Sequence, residues 1–343
     1  MANKWILCFP IYNLKISEEL KGEYQIEQVR FVSADKISRI RNKIGFKSPI
    51  SSYVKKQKWM KIFNYKFFSK AETYAIIKTN NDGLVSLDRE FKQIEDSVFI
   101  LASSQFFRVD RRRRYFFGNP YTDATLNLQD EILCYDIQKD LFESKGIHFP
   151  TCEYLLDNKW AKYIKNHFFP YLIKILNKDF GAINENWKFS IRNAAILAGK
   201  SQLTHKIHDS FLYNMIAIES LLSSKIDDII DNVVGMFGWM TNNETEYWAK
   251  LMDGLYKKRC KYVHTGEYKD INSDDLANSD QILFNILYNI CRLTKVIKSQ
   301  SDIINLSKSV SAMKLLNVKI KRALHLKFVR GKKISSPSRH WME

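Results

Sequence analysis

The spacing of apolar positions divides this chain into two unlike parts. Residues 3–12 (NKWILCFPIY) and 23–32 (EYQIEQVRFV) are short runs rich in aromatic and β-branched side chains, which predicts strands. The segment 34–45, ADKISRIRNKIG, predicts a short helix stopped by Gly45, and 71–79, AETYAIIKT, returns to strand character before the turn NNDG at 80–83. Beyond it Leu87, Phe91, Ile94, Val98 and Leu101 recur every three or four residues, the stripe of an amphipathic helix of about four turns. RRRRYFFGNPYTDATLNLQ, from Arg111, reads again as strand and turn. The first 150 residues are therefore expected to form a mixed α+β domain.

The pattern then changes. Between about Leu155 and Arg330 the single proline is Pro170, and apolar spacing is helical nearly throughout. Helices are expected near 157–178, 187–200, 204–224, 226–240, 244–264, 274–300 and 308–326, separated by polar breaks such as TNN (241–243) and GEYKDINSDD (266–275). The predicted architecture is α+β: a mixed domain over 1–150, a boundary near 145–155, and an all-α bundle over 155–330. The polar stretch GKKISSPSRHWME, 331–343, is expected to be a loose tail.

Composition narrows the function classes. No run of about 18 apolar residues exists, so no membrane span is expected. The apolar patch at the N-terminus is interrupted by Pro10, and no small-residue cleavage site follows it. The 5 cysteines are scattered without a C-x-x-C pair, which excludes a disulfide framework and points to a reducing cytoplasm. With 54 Lys+Arg against 37 Asp+Glu the net charge is +17, which suits a polyanionic partner, nucleic acid first; a Lys-, Asn- and Ile-rich proteome gives the same balance.

One stretch of the bundle carries chemistry, residues 257–267, KKRCKYVHTGE. Its helix starts near NETEYWAKLMDGLY and has Trp248, Met252, Leu255 and Tyr256 on an apolar face, with Gly266 as the expected stop. Arg259 and His264 then lie about 7.5 Å apart along the helix axis and roughly 140° apart around it. One straight helix cannot aim both at one small target. They converge only if the last turn distorts or if two copies of the helix pool their residues.

An Arg, four intervening residues and a His near the end of a bundle helix resembles the motif of HEPN domains. LYKKRCKYVHTGE is similar to the Apea-like branch, whose motif helix reads Y-x-x-R-S-x-x-V-H-G. Tyr256, Arg259, Val263 and His264 match it, while Thr265 displaces Gly266 and Cys260 stands where a small polar residue is usual. FLYNMIAIESLLSS (211–224) resembles that branch's A-L-E-x-L-L helix through Ala217, Glu219, Leu221 and Leu222. The likeness covers about 155–326. It implies metal-independent RNA cleavage by a homodimer, with Arg259 and His264 catalytic and Glu219, Cys260 and Tyr256 supporting them. It also implies a prokaryotic stress or antiphage role, the N-terminal domain answering a phage or cellular trigger.

The chemistry agrees with that implication. Cleaving RNA through its own 2′-OH needs a proton removed, a proton returned to the 5′-oxygen, and stabilisation of charge at phosphorus. Imidazole suits the proton transfers and a guanidinium fork suits the phosphorane oxygens. Lys257, Lys258 and Lys261 would hold the backbone electrostatically. Arg111, Arg112, Arg113 and Arg114, followed by Tyr115 to Phe117, are a second RNA-binding candidate or else a charged edge beside a buried strand. The competing reading makes Arg259 a structural partner of Glu219 and His264 a helix-end cation, in a non-catalytic RNA- or nucleotide-binding or dimerisation module. His205 and His208 have the spacing of metal ligands but no clear third ligand, and Asp227, Asp228 and Asp231 suit the first turn of a helix. No Walker loop, G-x-S-x-G or H-E-x-x-H is present, so neither cofactor nor metal is expected.

Overall fold

The computed structural model describes residues 5–37, 39–44, 71–79, 88–106, 116–118, 131–136, 141–146, 153–177, 183–204, 206–222, 229, 232–233 and 242–315. The fold is α+β, with a small antiparallel sheet near the N-terminus and mostly helices after it. The chain separates into two compact units, residues 1–98 with 112–162 and residues 99–111 with 163–343. The run Arg111 to Arg114, the triplet Asp227, Asp228 and Asp231, His205 and the 331–343 tail lie outside the described residues.

The first unit is built on a four-stranded sheet of order β1-β5-β4-β3, all neighbours antiparallel. Its strands are β1 (Trp5–Ile11), β3 (Glu23–Ile26), β4 (Val29–Ser33) and β5 (Thr73–Thr79). β5, TYAIIKT, is buried along all but one residue, as a central strand of continuous apolar character should be. β2 (Leu14–Ile16) runs parallel to β8 (Tyr154–Leu156), and β6 (Glu131–Asp136) pairs antiparallel with β7 (Leu141–Gly146). The helical segment expected at 34–45 is two short helices, α1 (Ala34–Ile37) and α2 (Arg41–Ile44). Each delivers one isoleucine, Ile37 or Ile44, to a core with Val32, Tyr74 and Ile76.

Residues 23–32, read as one strand, are a hairpin with Ile26 opposite Val29. The two residues between them are Glu27 and Gln28, neither a usual hairpin residue, and Glu27 adopts φ 51°. A left-handed glutamate leaves no mark in the sequence, so the alternation reads straight through it.

The helices are α3 (Asp88–Ala102), α4 (Asn158–Ile164), α5 (Phe169–Asn177), α6 (Glu185–Leu203), α7 (Ile207–Leu222), α8 (Asn242–Thr265), α9 (Ser273–Arg292) and α10 (Gln300–Leu315). The expected 157–178 helix is thus split. Pro170 stands in the first turn of α5, where its missing N–H is harmless, and its ring forbids the helix to continue back through residue 166. The expected 274–300 helix also ends early, at Arg292. A new start follows because the Asp302 carboxylate accepts from the Lys298 N–H and the Ser299 hydroxyl, both at 2.9 Å.

In the second unit α7 packs against α6, α8, α9 and α10. Phe211, Met215, Ala217, Ile218, Leu221 and Leu222 are all fully buried, so α7 is the apolar axis of this unit. Gly199 of α6 lets that helix seat on the backbone of Phe99, since a Cβ there would lie 1.7 Å from the Phe99 carbonyl oxygen. Alanine would gain about 1 kcal/mol of helix propensity, but overpacking against a carbonyl outweighs it. Gly199→Ala is expected to lower the unfolding free energy by about 2 kcal/mol net, read as a fall in the urea midpoint.

His167 is buried, accepting the Phe169 N–H on Nδ1 at 3.0 Å and packed against Phe168 and Phe284. Burial lowers its pKa to about 3. Between that value and its ordinary 6.5 the unfolded chain binds the proton and the folded chain does not, so stability falls as pH drops through this window. The stake is about 2 kcal/mol between pH 6.5 and 5. His167→Gln, which keeps an acceptor but cannot titrate, is expected to flatten that part of a denaturation-versus-pH curve; an unchanged slope would refute the assignment.

Candidate functional site

Arg259 reaches its place by periodicity. Trp248, Met252 and Leu255 are buried on α8, and position 259 continues the same stripe. α8 packs against α7, so a guanidinium at that position meets whatever α7 presents. It meets Glu219, whose Oε2 accepts from Arg259 Nη2 at 2.6 Å, with only 16% and 19% of the two side chains exposed. Burial raises the Glu219 carboxyl pKa, and the pull of Arg259 in the other direction does not reverse it.

The pair is a single-point contact, not a fork. Arg259 Nε and Glu219 Oε1 are both buried and have no hydrogen-bond partner among the described residues. Around them the supporting residues gather. The guanidinium carbon of Arg259 lies 5.9 Å from the centroid of the Tyr256 ring, and Cys260 stands one helical turn along α8 from Tyr256. Burial, then Cys260, pushes the Tyr256 phenol above its ordinary range. Arg259, Glu219, Tyr256 and Cys260 therefore form one cluster on the α7–α8 seam.

His264 is not part of that cluster. α8 runs unbroken to Thr265, and Gly266 at φ 73° closes it as its N–H bonds the Tyr262 carbonyl at 2.9 Å. On a continuous helix His264 sits roughly 140° around from Arg259. Its side chain is exposed, as is its neighbour Val263. One copy of the chain thus presents an inward Arg and an outward His.

The lysines of the motif are engaged within the chain. Lys257 donates to Asp253 at 2.7 Å across one helical turn and is 75% exposed. Lys258 donates to both oxygens of Asp275, at 2.9 and 2.7 Å. That same carboxylate accepts from the Asn272 N–H in the capping box that opens α9, so Lys258 braces a helix start. Lys261 bridges Glu267 at 2.6 Å and Asp270 at 2.9 Å, which holds its pKa above the ordinary lysine value. Exposed pairs of this kind contribute little to stability, so Lys257 and Lys261 are loosely committed to their carboxylates, whereas the less exposed Lys258 is held more firmly.

A further group was not singled out in the sequence. The His208 ring stacks on Tyr268 with centroids 4.1 Å apart and planes at 22°, and Tyr262 meets both rings edge-on at 5.5 and 5.9 Å. The Tyr262 hydroxyl donates to Asp209 Oδ1 at 2.6 Å. THKIHDS is legible only as a metal-ligand spacing, because the aromatic partners of His208 come from the end of α8 and the loop that follows it. Among the described residues no group of three His, Cys, Asp or Glu side chains is placed to hold a metal ion, and no helix is long and apolar enough to cross a membrane.

Comparison with protein-family models, with curated proteins and with solved structures finds no match to this chain.

Removing Glu219 alone leaves a mostly buried guanidinium uncompensated. Glu219→Ala is expected to cost about 2 kcal/mol, whereas Glu219→Leu combined with Arg259→Met recovers most of it. A double variant no more stable than Glu219→Ala, measured by urea denaturation, would contradict this account of the pair.

Proposed function

We propose that this protein is a metal-independent endoribonuclease of the HEPN type, working as a homodimer in which two α8 helices bring their motif residues to one RNA phosphate. The observation that carries the reading is the division of labour on α8. Arg259 is held at a fixed height by Glu219 yet its Nε donor is unpaired among the described residues, and His264 stands exposed about one and a half turns further on. A second copy supplies what one helix cannot, a guanidinium and an imidazole facing the same phosphate. In that assembly His264 takes the 2′-OH proton and its counterpart returns one to the 5′-oxygen, while Arg259 stabilises the developing charge. Glu219 and Tyr256 position Arg259, and Lys257 and Lys261 attract the backbone. Cys260, beside Tyr256, tunes that support. The N-terminal α+β unit would sense a phage or cellular trigger.

The pairing of Arg259 with Glu219 also favours a second reading, in which the bundle is a non-catalytic RNA- or nucleotide-binding or dimerisation module and Arg259 is structural. Expression of the wild type, His264→Ala and Arg259→Ala, with total RNA analysed alongside growth, separates the two. Fragmented RNA and growth arrest are expected in the wild type alone, with purified His264→Ala slower by about 100-fold or more. An unchanged cleavage rate in His264→Ala would end the nuclease reading.

A further inference from the structure

Tyr268 stands four residues beyond His264, and the residue is 48% exposed although two aromatic neighbours hold its ring in place. His208 supports one face at 4.1 Å, and Tyr262 abuts an edge at 5.9 Å with its own hydroxyl tied to Asp209. The loop that carries Tyr268 is clasped as well. Lys261 reaches back to Glu267 and Asp270, the Glu267 N–H donates to Thr265 Oγ1 at 3.2 Å, and the Ile271 N–H bonds the Tyr268 carbonyl at 3.0 Å. A ring fixed on one face and at its edge, in a residue that stays largely exposed, costs little entropy to use as a binding surface.

The charge around it identifies the ligand class. Asp209 is engaged by Tyr262, and Glu267 and Asp270 by Lys261. Lys269, next to Tyr268, and Lys206, two residues before His208, are exposed and form no ion pair among the described residues. An exposed, braced aromatic ring with two such lysines beside it in sequence suits a flat group on an anionic backbone, that is, an unpaired nucleobase. Four residues span at most ~14 Å, so the ring is within reach of a strand whose phosphate lies at His264.

We infer that Tyr268, supported by His208 and Tyr262, is a stacking platform for a base of single-stranded RNA next to the scissile phosphate. The inference rests on the nuclease reading for the identity of the strand, and it makes Tyr268 a binding residue, not a catalytic one.

The test uses two non-cleavable probes on the full-length protein: a single-stranded 2′-O-methyl RNA and the same backbone lacking its bases. Tyr268→Ala is expected to weaken binding of the base-bearing strand by about tenfold and to leave the abasic strand unchanged, because stacking contributes only where a base is present. Tyr268→Phe keeps the π-face and should bind both strands like the wild type, and a thermal melt confirms that each variant is folded. Equal weakening for both strands, or none for either, would overturn the platform and leave Tyr268 as a loop clasp or a contact for a protein partner. Cleavage lost in His264→Ala with tight base-dependent binding retained supports both conclusions. Base-dependent binding by a wild type that never cuts RNA supports the platform and sinks only the nuclease.

Discussion

A carboxylate carried into an apolar helix has to meet a cation, and that constraint organises the second unit. α7 is buried on the sides that face α6, α8, α9 and α10, and Glu219 is the one acid it carries into the packed part of its length. Desolvation raises the carboxyl pKa, so the helix tolerates the charge only because Arg259 arrives from α8 at 2.6 Å. The pair thereby sets the rotation and height of α8. Everything beyond it on that helix, including the exposed His264 and the Gly266 stop, takes its position from that register.

The same register explains why a basic stretch is less basic than it reads. Lys257, Lys258 and Lys261 each find a carboxylate on α8, on α9 or in the loop between them. Lys258 has a building role at the start of α9, whereas the other two lie on the surface with weak partners. Lys206 and Lys269, close in sequence to His208 and Tyr268, form no ion pair among the described residues. Charge counted along a chain and charge available to a ligand are different quantities, because pairing depends on neighbours that are distant in sequence.

Where sequence expectations and structure part, the causes are local and nameable. The 23–32 strand hides a hairpin because its turn uses a left-handed Glu27 in place of glycine or asparagine. The 157–178 helix breaks at Pro170, a signal present in the sequence but outweighed by apolar spacing on both sides. The restart at Gln300 follows from Ser299 and Asp302, a capping pair that a continuous helical stripe conceals. The 34–45 segment delivers Ile37 and Ile44 to the core from two short helices, where the spacing suggested one.

The sequence alone was enough for the division into an α+β region and a helical region, for the helix that carries Arg259 and His264, and for its Gly266 stop, and it offered the Glu219–Arg259 pairing as one of two readings. Those follow from period, caps and the cost of an unpaired buried charge, which act over a turn or two or demand one obvious partner. Tertiary structure alone decided that Lys258 braces α9, that Arg259 retains an unpaired donor, that His264 points away from the Arg cluster, and that His208, Tyr262 and Tyr268 meet. Each of these depends on how far one helix is rotated against another, and no spacing along the chain encodes that angle.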